Sequence, residues 1–186
     1  MKHPYACALV CLALNLSAAD LVRIPAVSRQ VTDTFTGVPV TVEVGEFLIA
    51  PYETTQSEFT AVMGYNPSLY PGPRRPVENV SWWEAIRYCN LRSLQEGLSP
   101  CYDLNTGECD RTRDGYRLPT AAEWETAAGA LSAPKPEAAA SMANLGTRDT
   151  KDPALLLEAI RAKGTRDAGS HAPNEFGLYD MLGNVW

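Results

Sequence analysis

Three segments of this chain read as capping boxes, with a hydroxyl residue followed three positions later by glutamate: Thr55-Gln56-Ser57-Glu58, Ser81-Trp82-Trp83-Glu84 and Thr120-Ala121-Ala122-Glu123. At this spacing the hydroxyl accepts the N3 amide while the glutamate reaches back to the cap amide. Two donors that a helix start leaves open are satisfied at once. A glycine stands where each helix should stop, at Gly64, Gly97 and Gly129, because glycine tolerates the left-handed backbone of a C-terminal cap. The spacing predicts helices over about 56–63, 82–96 and 121–128. The second is expected to bury Trp82, Ala85, Ile86, Cys89 and Leu94 at near-helical spacing. Its tryptophans read as core anchors, since large aromatics dominate burial.

Between these helices the chain is extended and rich in turns. Val40, Val42, Val44 and then Phe47 alternate through 38–49, as a half-buried strand requires. Asn66 to Pro76 is proline-rich and reads as a loop, with Arg74-Arg75 a solvated pair. Tyr102-Asp103-Leu104 and Glu108-Cys109-Asp110 flank Asn105-Thr106-Gly107 as a small hairpin. Ala130 to Ala143 is Ala/Pro-rich and reads as a surface excursion, and a weaker helix is expected over Pro153 to Lys163. The chain has 186 residues, 45% hydrophobic and 20% charged, which suits one globular domain and excludes a fibrous or long disordered protein. A net charge of −6 without a basic block excludes a nucleic-acid footprint. Two histidines and no C-x-x-C argue against zinc sites and histidine triads.

The N-terminus runs from Lys2 through the apolar stretch Ala6 to Leu16 and into Ser17-Ala18-Ala19-Asp20. A basic start, a short apolar run and small residues before a cut have the shape of a signal peptide. The run is too short for a bilayer, which needs about 20 residues. Residues 1–19 are therefore expected to direct export, and the product to be periplasmic or secreted with no membrane span. Export places the mature chain where disulfides persist. Cys101 and Cys109 flank the hairpin turn and are expected to bridge, leaving Cys89 as a buried thiol on a helix. The alternative, with all three thiols reduced and packed, stays open.

Five motifs then follow in order: Tyr52-Glu53-Thr54-Thr55-Gln56-Ser57-Glu58-Phe59 with Gly64-Tyr65-Asn66-Pro67-Ser68; Pro76-Val77-Glu78-Asn79-Val80-Ser81-Trp82; Ala85-Ile86-Arg87-Tyr88-Cys89-Asn90; Gly115-Tyr116-Arg117-Leu118-Pro119-Thr120 running into Glu123-Trp124-Glu125; and Pro173-Asn174-Glu175-Phe176-Gly177-Leu178-Tyr179-Asp180-Met181-Leu182-Gly183-Asn184-Val185-Trp186. Read physically, they take extended chain into capped helices. As an ordered set they resemble the formylglycine-generating enzyme family, the sulfatase-modifying factor proteins. The resemblance implies an α+β, C-type-lectin-like fold with little regular structure. It implies a linker over 20–34 and the family domain over 35–186. The closing motif normally continues with Glu-Trp, so the domain is expected to be truncated at its C-terminus.

Family enzymes oxidise a cysteine in a sulfatase polypeptide to formylglycine, using oxygen and copper held by two cysteines in the C-terminal half of the domain. By the resemblance those copper ligands are absent here, since Cys89, Cys101 and Cys109 lie elsewhere in the pattern. No catalytic residue is expected within the chain. The resemblance also implies structural calcium. It assigns the Asp180 side chain, the Gly183 and Val185 carbonyls and the glutamate expected after Trp186 to one site, and the Asn144 side chain and the Leu145 carbonyl to a second; calcium is expected to stabilise the full-length protein, and the first site to be weak or empty in this chain. Calcium is a hard cation that takes six to eight oxygens, so a carboxylate with main-chain carbonyls suits it; a turn-capping Asp180 without metal is the alternative. Two functions stay open: a formylglycine-generating oxidase acting on a sulfatase or other polypeptide, and a non-catalytic extracytoplasmic binding module. The iron-dependent sulfoxide synthases of thiohistidine biosynthesis share the domain but carry clustered histidines before it, and two histidines do not suit them.

Overall fold

The computed structural model describes residues 20–32, 37–129 and 164–185. Four strands come first: β1 (Val22–Ile24), β2 (Val27–Thr32), β3 (Pro39–Val44) and β4 (Phe47–Ile49). β1 pairs antiparallel with β4, and β2 with β3. One register runs through both pairings, from Val22↔Ile49 and Ile24↔Phe47 to Val27↔Val44 and Thr32↔Pro39. The two sheets are thus one long hairpin interrupted where Pro25-Ala26 faces Gly45-Glu46. Proline has no N–H for the ladder, so the pairing breaks there. The break also re-phases the alternation, so that Ile24 and Val44 both turn inward and are buried. The valine alternation in the sequence is therefore two strands rather than one. Residues 20–32, expected as a linker, supply half of the hairpin and one of its core residues.

Helices α1 (Gln56–Met63), α2 (Trp82–Gln95) and α3 (Ala121–Ala127) start where the sequence places them. All three capping boxes are formed. The Thr55, Ser81 and Thr120 amides each donate to their glutamate at 2.8 Å, and each such cap is worth about 1 kcal/mol. Gly64 closes α1 in a left-handed cap with φ 82°, its N–H on the Thr60 carbonyl. The loop over 66–76 and the hairpin at Tyr102↔Cys109 are also present. Arg74 is solvated as expected, its side chain 83% exposed, and it also pairs with Asp167, Nη2 to Oδ2, at 2.8 Å. The proposed excursion over 130–143, the helix over 153–163 and residues 1–19 lie outside the described residues. Among the described residues no helix is long and apolar enough to cross a membrane.

Two cores result. In the first, Ile24, Ala127 and Leu178 are buried together, with Val22, Phe47, Ile49, Phe176 and Met181 packed on them. The inner face of β1 and β4 thereby meets α3 and the C-terminal segment. In the second, Phe59 of α1 packs with Tyr88 and Cys89 of α2, with Val62, Val77, Tyr102 and Leu118 around them. The Phe59 and Tyr88 rings stack at 5.4 Å. Trp82, Trp83 and Leu94 depart from expectation: they are 50%, 51% and 60% exposed. The buried face of α2 runs instead through Ile86, Tyr88, Cys89, Asn90 and Ser93. On that face Tyr88 and Cys89 meet Phe59 of α1, while the polar Asn90 and Ser93 hold loops.

Buried polar side chains carry the irregular backbone. Gln56 is 1% exposed. Its Nε2 donates to the Tyr70 carbonyl at 2.9 Å and the Pro76 carbonyl at 3.2 Å. Its Oε1 accepts from Asn66 Nδ2 and the Gly72 N–H, both at 2.9 Å. Asn90 clamps Tyr102 from both sides, donating to its carbonyl at 2.7 Å and accepting its N–H at 3.0 Å. Ser93 accepts the Tyr116 N–H at 2.8 Å. A Cβ at Gly115 would stand 2.2 Å from the Ser99 carbonyl oxygen, so only glycine fits.

Two outcomes follow from these contacts. Gln56→Leu strands two donors and two acceptors of the 66–76 loop, and urea unfolding is expected to show a loss of about 3 kcal/mol with an unchanged m-value. The second concerns acid. Arg117 grips Glu123 in a fork, Nη1 to Oε2 at 2.8 Å and Nη2 to Oε1 at 2.7 Å. That pair, helped by the Thr120 amide, holds the Glu123 carboxyl down to about 2, against an ordinary 4.5. A carboxylate with a lowered folded pKa stabilises fully above its unfolded value and loses that contribution as pH falls towards the folded one. Stability should therefore fall between pH 4.5 and 2, and Glu123→Gln should flatten that part of the acid melting curve.

Candidate functional site

The C-terminal motif folds against the segment that leads into α1. Asn174 organises it: its Oδ1 accepts the Phe176 and Leu178 N–H groups, both at 3.0 Å, and its Nδ2 donates to the Ala127 carbonyl of α3 at 2.7 Å. The Tyr179 N–H donates to the Pro51 carbonyl at 2.9 Å, and the Tyr52 and Tyr179 rings stack at 4.7 Å. Asp180 and Asn184 follow with φ of 55° and 76°, the left-handed region that Asp and Asn tolerate better than other side chains.

These turns bring two carboxylates to one place. Asp180 has no exposed side-chain surface. Its Oδ1 lies 2.6 Å from His171 Nδ1, and its Oδ2 accepts the Gly169 N–H at 2.5 Å. Glu53, from the Tyr52-Glu53-Thr54-Thr55 motif, accepts Asn184 Nδ2 on Oε2 at 2.6 Å and the Val185 N–H on Oε1 at 3.1 Å. Burial pushes the Glu53 carboxyl up to about 7. The Asp180 charge adds to that rise, and the Asn184 and Val185 bonds oppose it. Asn184 also ties down Arg166, accepting its N–H at 2.8 Å.

Asp180, Gly183 and Val185 are therefore neighbours, while Asn144 and Leu145 lie outside the described residues. The sequence reading missed Glu53 and His171. Glu53 stood in a motif read as scaffold, and His171 is nine residues from Asp180 with no regular spacing between them. The two carboxylates already have partners within the chain. All four carboxylate oxygens already face N–H donors or the His171 ring. Val185 meets Glu53 through its N–H, and the Gly183 N–H donates to the Asp180 carbonyl at 3.3 Å. Among the described residues no group of three His, Cys, Asp or Glu side chains is arranged to hold a metal ion.

The three described thiols are free. The Tyr102↔Cys109 pairing, with the Asp103 N–H on the Glu108 carbonyl and the Asp110 N–H on the Cys101 carbonyl, fixes the hairpin register. Cys101 and Cys109 flank that turn but are both free, so the expected bridge is not formed. Cys101 Sγ turns to the Gly115 carbonyl at 3.2 Å. Cys89 is buried on α2, and burial pushes its thiol up to about 12. On the hairpin's other side Trp82 and Trp83 meet edge to face at 5.0 Å. Gly107 lies against both indoles, since a Cβ there would stand 2.8 Å from Trp82 and 3.2 Å from Trp83.

Comparison with known proteins places this geometry. Residues 12–186 match the sulfatase-modifying factor enzyme 1-like domain. The chain is 39% identical over 175 residues to chaperone protein LppX of Paenibacillus barcinonensis, covering 77% of this chain and 61% of that protein. It is 29% identical over 136 residues to the formylglycine-generating enzyme of Thermomonospora curvata, covering 66% of this chain and 35% of the enzyme. It therefore spans less than two thirds of either relative's length. Among solved structures, Treponema denticola variable protein 1 is similar with a TM-score of 0.73 and 30% identity, over 89% of this chain and 70% of that one. The crystal structure of CarF is similar with a TM-score of 0.61 and 26% identity, over 87% and 76% respectively. With the capped helices, the sparse strands and the ordered motifs all in place, this chain belongs to the sulfatase-modifying factor enzyme 1-like domain family.

Proposed function

We propose that this chain is a non-catalytic, polypeptide-binding domain of its family that works outside the cytoplasm. The placement of the thiols carries the reading. Redox and copper chemistry need thiolates that ionise readily and stand together. Here Cys89 is held neutral by burial, Cys101 is tied to a carbonyl, and Cys109 lies across the hairpin from Cys101. The relative named a chaperone supports a binding role, and the Met1–Ala19 pattern supports export. The relative named a formylglycine-generating enzyme shares only part of its length with this chain, so oxidation of a sulfatase cysteine is the competing reading.

Exposed apolar side chains are available at two places, Leu69 and Tyr70 in the 66–76 loop and Trp82 and Trp83 at the start of α2, and the backbone beneath them is pinned by Gln56, Glu78 and Ser81. Exposed apolar side chains on rigid backbone lose little entropy on binding.

The test pairs two assays on the purified chain. Incubated in air with copper and a cysteine-containing sulfatase peptide, it is expected to form no aldehyde by mass spectrometry. With a reduced, carboxymethylated model polypeptide, tryptophan emission is expected to shift to the blue, and Trp83→Ser to weaken binding about tenfold. Aldehyde formation that disappears in Cys109→Ser would establish the oxidase instead, and unchanged emission would remove the binding role. Thiol labelling checks the premise: in the folded chain N-ethylmaleimide should modify Cys109, which is part-exposed, and spare the buried Cys89 and Cys101.

A further inference from the structure

We propose that the Glu53–Asp180 clasp closes without metal in this chain, with His171 and main-chain N–H groups supplying the positive donors where the family resemblance would put calcium. The geometry is specific. A carboxylate oxygen accepts and a ring N–H donates, so the hydrogen of the 2.6 Å contact with Asp180 Oδ1 is assigned in this proposal to His171 Nδ1. The His171 and Asp180 side chains are 8% and 0% exposed, so water does not compete for the bond.

The second Asp180 oxygen is filled by backbone. The Gly169 N–H reaches Oδ2 only because residue 169 sits at φ 79°, and a Cβ there would stand 2.7 Å from the Tyr52 ring. Glycine is the residue that meets both demands. Asn184 Nδ2 and the Val185 N–H fill Glu53 in the same way. A calcium ion sits 2.3–2.6 Å from its oxygens and takes six to eight of them. Brought to Asp180, it would meet hydrogens of its own sign at each oxygen, in a buried place where such repulsion is poorly screened. His171 is thus a positioning residue. It locks the 164–171 stretch to the closing motif, and Glu53 locks that motif to the approach to α1.

Melting of the purified 186-residue chain in calcium chloride and in EGTA tests this. The midpoint is expected to move by no more than about 1 °C, whereas calcium at one hundred times its Kd would raise it by roughly 5–10 °C. His171→Ala should lower the midpoint by about 3–8 °C in both solutions, with no rescue by calcium. His171→Asn, which keeps a donor, should recover part of the loss. Ring-nitrogen NMR should find the hydrogen on Nδ1. A midpoint that rises with calcium, a bare Nδ1, or a His171→Asn variant no better than alanine would overturn the inference. Should His171→Ala fail to fold, the calcium response of the unaltered chain, the asparagine variant and the ring spectrum still decide.

Discussion

Every buried N–H and C=O must find a partner, and a chain with so little helix and strand cannot satisfy that demand through ladders. Here side chains do the work. Gln56 ties four groups of the 66–76 loop, Asn90 holds Tyr102 from both sides, Ser93 takes the Tyr116 N–H, and Asn174 shapes the turn before Leu178. These are short, neutral side chains with both donors and acceptors, or a hydroxyl that is either. They sit on helices or tight turns, whose own geometry is rigid. The helices act as racks from which loops are hung, and this is why the buried face of α2 carries Asn90 and Ser93 beside its apolar residues.

The same constraint explains the placement of the aromatics. An apolar helix face would have been the natural seat for Trp82 and Leu94. With α2 committed to holding loops, the indoles are displaced to its N-terminal edge, where they rest on Gly107 and remain half exposed. Burial in this protein follows hydrogen-bonding need before it follows hydrophobicity. The carboxylates obey it too. Asp180 is buried and Glu53 half-buried, and each finds donors from a different stretch of chain. That closes the C-terminal motif onto the start of the first helix and onto the 164–171 segment.

Much of this was legible in the residues. A capping box needs only local contacts, so Thr55, Ser81 and Thr120 announced three helices to within a residue or two, and the ordered motifs placed the family. The Asn105-Thr106-Gly107 turn was equally local. What the residues could not reveal was anything that depends on partners distant in sequence. β1 and β2 are short and weakly patterned, and they exist because β3 and β4 return to pair with them. Glu53 and Val185 are 132 positions apart, and no spacing rule links them. Nor does any local pattern tell whether Asp180 will meet a cation or a histidine. Helix starts, turns and family are written in short-range hydrogen bonding and were determined by the sequence alone. Which face of a helix is buried and which groups meet a buried carboxylate were decided only by the tertiary structure, because each depends on desolvation and on what the rest of the chain brings alongside.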